Sequence, residues 1–228
     1  MDFAEKTRFR LGAAWGALLL LCLLWAVPPA EANPSAPAEQ APAPEAATPP
    51  EGPDVPIRRL NEALIEIMKQ AEEGSSYAGR FDRVAPVVRE IFDMPFMAAK
   101  SIGSYWRKLD SDQRKRWVKT FEDFTISNFA DRFDGYSGQT FEIRGERPAS
   151  RENRVVETLL NRPGEGPVEL DYRMSDRAGD WRVVDIYADG SVSEVALRRS
   201  EYSAVLKGGN IDALIAAVSA KTAKRAAQ

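Results

Sequence analysis

The chain has no histidine, and its one cysteine, Cys22, sits in an apolar run near the start. Without histidine there is no imidazole general base and no ordinary zinc site. A lone cysteine cannot close an intramolecular disulfide, so the folded part relies on its core alone. Also missing are a GxxxxGK[ST] phosphate loop, a GxGxxG dinucleotide fingerprint and a GxSxG nucleophile elbow. A large excess of either charge is lacking too: 31 basic residues face 34 acidic ones. That balance argues against a nucleic-acid partner, because such domains carry a marked basic surplus. Of the common catalytic schemes, only a carboxylate or tyrosine mechanism survives these absences.

What is present begins with Lys6, Arg8 and Arg10, then an apolar run from Leu11 to Val27, then Ala30-Glu31-Ala32. A basic start, a short apolar core and a small-x-small site describe a secretory signal peptide over residues 1–32. The run sits at the short limit for a membrane-spanning helix of ~20 residues, which leaves an uncleaved anchor as the alternative. Leu19-Leu20-Leu21 before Cys22 and more apolar sequence after it exclude lipid attachment there. Residues 33–56 contain eight Pro and six Ala. Proline removes backbone donors, and this stretch has almost nothing to bury, so a disordered linker is expected.

From Ile57 the period becomes helical, with Leu60, Leu64, Ile67 and Met68 at three- and four-residue steps and Gly74 as a stop. A second helix is expected from Tyr77 to Phe92, bent or interrupted at Pro86. Asp93 is placed to cap a third helix, opened by Pro95, and Ser111 a long fourth carrying Trp117, Phe121, Phe124 and Phe129. After Gly138 the pattern changes to four strands, "TFEIRGE", "RVVETLL", "PVELDYRM" and "WRVVDIYA". Asp189-Gly190 is read as a turn leading out of the sheet. Two helices then follow, capped by Ser200 and Asn210. The order predicts one α+β domain of helices on an antiparallel meander of about four strands.

Asp185 and Tyr172 are the one pair worth weighing as acid and base, since a carboxylate beside a tyrosine in an apolar site transfers protons well. The competing reading makes Asp185, with Gly190 in the following turn, a structural element that fixes a loop. The basic run from Arg107 to Arg116 reads as a solvated helix face or as a contact for anionic headgroups.

The ordered motifs resemble one family. They are Arg80-Phe81, Phe92-Asp93, the small-residue segment Ala98 to Gly103, Trp106-Arg107, and Asp112-Gln113-Arg114. "VELDY" at Val168 to Tyr172 and "WRVVDI" at Trp181 to Ile186 follow. Together they resemble the MlaC/toluene-tolerance family of periplasmic lipid-binding proteins, auxiliary to ABC transport. Asp189-Gly190-Ser191-Val192-Ser193 resembles the hopanoid-associated HpnM branch.

The resemblance implies a periplasmic shuttle with no catalytic residues, metal or cofactor, its ligand a phospholipid or hopanoid-type lipid. It implies an MlaC-like domain over residues 57–224 whose twisted sheet and helices enclose an apolar cavity. Its implied partners are an inner-membrane lipid-transport complex and an outer-membrane acceptor. Inward strand positions Val156, Leu160, Val168, Leu170, Tyr172, Val183 and Ile186 are then candidate cavity residues, with Met97, Ile102, Phe121 and Phe124 covering them from the helices. A non-catalytic envelope adaptor with a solid core is a further alternative.

Overall fold

A computed structural model describes residues 52–177 and 180–227. The expected signal peptide and linker therefore lie outside the described residues, apart from the linker's last five positions. Helix α1 spans Asp54–Glu72 and so starts ahead of the expected domain boundary at Ile57. Its stripe of Ile57, Leu60, Leu64, Ile67 and Met68 is buried, as three- and four-residue spacing dictates.

Helix α2 (Tyr77–Ile91) runs through Pro86 without a break. Pro86 is on the exposed side, where the carbonyl it leaves without an amide donor meets water, so the expected interruption does not occur. Helix α3 (Met94–Ser101) is capped by Asp93, which accepts from the Phe96 amide at 3.0 Å. A single 3₁₀ segment, Gly103–Lys108, leads to α4 (Ser111–Arg132).

Asp110, and not Ser111, caps α4. Its carboxylate accepts from the amides of Asp112 at 2.9 Å and Gln113 at 2.8 Å. The Gln113 side chain accepts in return from the Asp110 amide at 3.1 Å. This reciprocal capping box needs Gln three residues after the cap, a spacing that only Asp110 satisfies.

Strands β1 (Thr140–Pro148), β2 (Arg154–Asn161), β3 (Val168–Arg177), β4 (Asp180–Ala188) and β5 (Val192–Ser193) form one antiparallel sheet in sequential order. The short β5 corrects the expectation that Asp189-Gly190 takes the chain out of the sheet. Both residues are left-handed, at φ 49° and 66°, which reverses the chain tightly and pairs Val192 with Ala188 on β4. A side chain at Gly190 would also strike the Glu169 carboxylate.

Helix α5 (Glu194–Gly208) is capped by the Ser193 hydroxyl, which accepts from the Ala196 amide at 3.0 Å. Ser200, the expected cap, lies mid-helix because the helix starts directly at the end of β5. Asn210 caps α6 (Ile211–Ala226) as expected, accepting from the Ala213 amide at 3.0 Å.

The helices pack on one face of the sheet. Phe92 and Phe129 meet edge to face at 5.7 Å, and Phe129 stacks on Phe133 at 5.9 Å. Phe133 in turn meets Phe141 of β1 at 6.2 Å. The Asp93 amide donates to the Val183 carbonyl at 2.9 Å, tying the α2–α3 junction to β4.

Trp117 joins three helices. Its indole N–H donates to the Ala98 carbonyl of α3 at 2.9 Å, and its ring meets Tyr202 of α5 edge to face at 5.2 Å. Trp117→Phe should lower unfolding free energy by about 1–3 kcal/mol through the lost indole hydrogen bond, to a carbonyl that the Ser101 hydroxyl still bonds at 2.8 Å, and the weakened ring contact. Urea denaturation measures this, and an unchanged midpoint would refute the tripartite role.

Candidate functional site

A long face of α4 presents Phe121, Phe124, Thr125, Asn128, Phe129 and Arg132 to the sheet. These positions step by three and one along the helix, so they form a single stripe. Opposite them, β3 and β4 contribute two cross-strand pairs that share the inner face, Leu170 with Ala188 and Tyr172 with Ile186. Met97 of α3 closes one side, and Glu194 and Arg198 of α5 another. The enclosed space is about 80 Å³. Ligand pockets run to ~300–1,000 Å³, so a lipid chain fits only if α4 and the β3–β4 pair move apart.

Charge is confined to the rim. Arg198 pairs with Glu194 at 2.5 Å and with Glu201 at 2.9 Å, and lies over the Phe124 ring at 5.0 Å. Burial works against its charge, but the two glutamates outweigh it and hold the guanidinium protonated. Arg132, in the last turn of α4, is exposed and forms no ion pair among the described residues.

The structure brings together six of the eleven sequence candidates: Met97, Phe121, Phe124, Leu170, Tyr172 and Ile186. Ile102, Val156, Leu160 and Val183 are buried in the same core without lining this space, and Val168 packs half-buried against that core. Val183 bridges to Phe92 through its backbone. Thr125, Asn128, Phe129, Arg132, Ala188, Glu194 and Arg198 line the space as well. The α4 members among them follow from extending the helical stripe past Phe124.

Asp185 and Tyr172 do not form a pair. In the β3–β4 register Tyr172 faces Ile186, whereas Asp185 faces Arg173 on the other side of the sheet. Tyr172 lines the apolar space and Asp185 a separate outer cleft. Burial pushes the Tyr172 hydroxyl pKa up, further from useful proton transfer.

Asp185 instead accepts three hydrogen bonds: from the Ser193 hydroxyl at 2.6 Å, the Ile186 amide at 2.9 Å and the Val195 amide at 3.1 Å. These bonds span the end of β4, β5 and the first turn of α5. Among the described residues, no three Asp, Glu, His or Cys side chains are grouped to hold a metal ion.

A sequence model described as "MlaC protein" matches residues 58–220. This chain belongs to the MlaC family. It is 25% identical over 127 residues to the intermembrane phospholipid transport system binding protein MlaC of Haemophilus influenzae. That match covers 54% of this chain and 59% of the relative's length. The fold is that of a phospholipid-binding protein from Ralstonia solanacearum solved with a phospholipid, at a TM-score of 0.68 and 20% identity. That superposition covers 77% of this chain and 99% of the other.

Burial raises the pKa of Asp185 above the usual 3.8, although Ser193, the two amides and Arg173 pull against it. A carboxyl raised on folding binds its proton more tightly in the folded state. Its contribution to stability is then complete below 3.8 and is lost as pH rises through the folded value. Asp185→Asn cannot titrate and replaces one acceptor by a donor, costing about 1–3 kcal/mol. Urea unfolding across pH should show the wild type's advantage over the variant shrinking as pH rises above 3.8. A widening advantage would contradict the assigned shift.

Proposed function

We propose that this chain is a lipid carrier of the periplasm that shields acyl chains between α4 and the inner face of β3–β4. The supporting observation is a lining dominated by aromatic and aliphatic side chains, in which the buried Thr125 hydroxyl is satisfied by the Phe121 carbonyl and the charges are Arg132, Glu194 and Arg198. Acyl chain leaves water with a gain of ~0.8 kcal/mol per CH₂, so two chains crossing an aqueous gap unprotected cost tens of kcal/mol. A carrier that hides the chains removes that barrier without breaking a bond. No nucleophile, base or metal is required, in keeping with a non-enzymatic role.

The cargo is a phospholipid in the first instance. Arg132 is the rim cation that forms no ion pair among the described residues, and a guanidinium donates two parallel N–H bonds to phosphate oxygens. A hopanoid-type lipid lacking phosphate would gain nothing from it. Donor and acceptor are an inner-membrane lipid-transport complex and an outer-membrane acceptor, consistent with the intermembrane system named for the Haemophilus influenzae relative.

The small volume of the space favours a second reading, an envelope adaptor with a solid core that carries no lipid. Native mass spectrometry of the purified chain separates the two. The carrier reading expects a co-purified phospholipid that Leu170→Trp, which fills the space, removes without unfolding the protein. Lipid-free protein that also takes up none from vesicles would favour the adaptor. Arg132→Glu should weaken phospholipid retention about tenfold, or ~1.4 kcal/mol, while leaving a phosphate-free lipid unaffected.

A further inference from the structure

A second concavity, of about 470 Å³, opens on the side of the sheet to which Asp185 points. Four cations line it: Lys100 of α3, Arg151 of the β1–β2 turn, Arg173 of β3 and Arg199 of α5. The one acid in the lining is Asp185, whose carboxylate oxygens are engaged by Ser193, Ile186 and Val195. The chain as a whole carries a net charge of −3, so this positive cluster runs against its composition.

Neighbouring arginines behave differently. Arg144 pairs with Glu169, Arg147 with Glu157 and Asp171, Arg154 with Glu146, and Arg177 with Asp93. Among the described residues Lys100, Arg151, Arg173 and Arg199 form no ion pair, although Arg173 feels Asp185 electrostatically across the strands. The Arg173 Nε is moreover buried with no hydrogen-bond partner among the described residues. A buried donor left unpaired is costly; Arg114, Arg154 and Arg198 carry a similarly unpaired Nε, but of these four only Arg173 lines the cleft.

Local conformation fixes two of these cations in place. Arg151 and Glu152 are both left-handed, at φ 61° and 60°, where stability alone would select Asn, Asp or Gly. Arg199 lies so close over Gly103 that a Cβ there would come within 2.7 Å of its Nε.

We propose that this outer cleft is a docking site for an acidic segment of a partner protein, separate from the apolar space on the inner face. Phe96, Val184 and Val195 give the cleft an apolar component beside its cations. That mixture suits a segment carrying both carboxylates and apolar side chains. A bare phosphate would find the Asp185 carboxylate among its neighbours, and a flat bilayer surface cannot enter a concavity. Because the site faces away from α4, a partner bound there leaves the inner space free to exchange its contents.

The test uses the chain itself with a fluorescent peptide of alternating glutamate and leucine, and with the matching glutamine–leucine peptide as control. Fluorescence anisotropy should show binding of the acidic peptide alone, weakening as salt screens the charges. The exposed variants Lys100→Glu and Arg151→Glu should each weaken it about tenfold. In the wild type, NMR should show the Arg173 Nε–H resonance shifting on peptide addition. Phospholipid content, measured on the same samples, should not change, so a failure here is distinct from a failure of the carrier reading. Equal affinity for the glutamine peptide, or unchanged affinity in both variants, overturns the proposal. A larger shift of the Arg173 resonance with inorganic phosphate or phosphatidylglycerol vesicles than with the peptide also overturns it.

Discussion

Asp185 is the contact on which both faces of this molecule depend. Its carboxylate reaches the end of β4, the two-residue strand β5 and the first turn of α5 through three hydrogen bonds. Together with the Ser193 cap and the β4–β5 pairing, those bonds fix where α5 leaves the sheet. The start of α5 carries Glu194 and Arg198 to the rim of the apolar space, and Arg199 to the outer cleft. A buried carboxylate costs desolvation energy, and here hydrogen bonds from two amides and a hydroxyl offset part of that cost. The residue that resembled a catalyst is chemically occupied, and its occupation organises the two surfaces.

The inner site shows how a core is left partly unfilled. A solid core would interdigitate the α4 stripe with β3 and β4 at crystal-like density. Here Phe121, Phe124 and Phe129 meet Leu170, Tyr172 and Ile186 around a small void, with the buried Thr125 hydroxyl turned to the Phe121 carbonyl of its own helix. The paired charges of Arg198 with Glu194 and Glu201 bring polarity to the margin without leaving an unbalanced charge beside the aromatic rings. Helix α4 is meanwhile held at its start by the capping box and to α3 and α5 by Trp117.

Much of this architecture was legible in the residues. Helical spacing in α1 and alternation in β3 reflect one-sided burial, which any amphipathic element must show. Phe121 and Phe124 were readable as cavity candidates for the same reason. The cap expected at Ser111 is off by one residue because Asp110 forms a reciprocal capping box with Gln113, and the one expected at Ser200 is off by seven because α5 starts directly after β5, where Ser193 caps it. Pro86 escaped its usual effect because it faces water. The opposition of Tyr172 and Asp185 follows from a strand register that no single-strand pattern contains. The rim residues Glu194 and Arg198 were hidden more deeply, since their position depends on a tight turn, a two-residue strand and a distant hydrogen-bonding carboxylate acting together.

The order of the strands bears on how the chain reaches this state. Each strand neighbours the next in sequence, so every pairing closes a short loop and none waits for a distant segment. Such a meander has low contact order for a β-rich unit, and its hairpins are able to zip up in succession. The apolar face that will line the inner space therefore spends little time bare and unpaired during folding, when sticky edges invite aggregation. The sequential pairing thus covers the apolar inner face by local steps rather than by a late long-range closure.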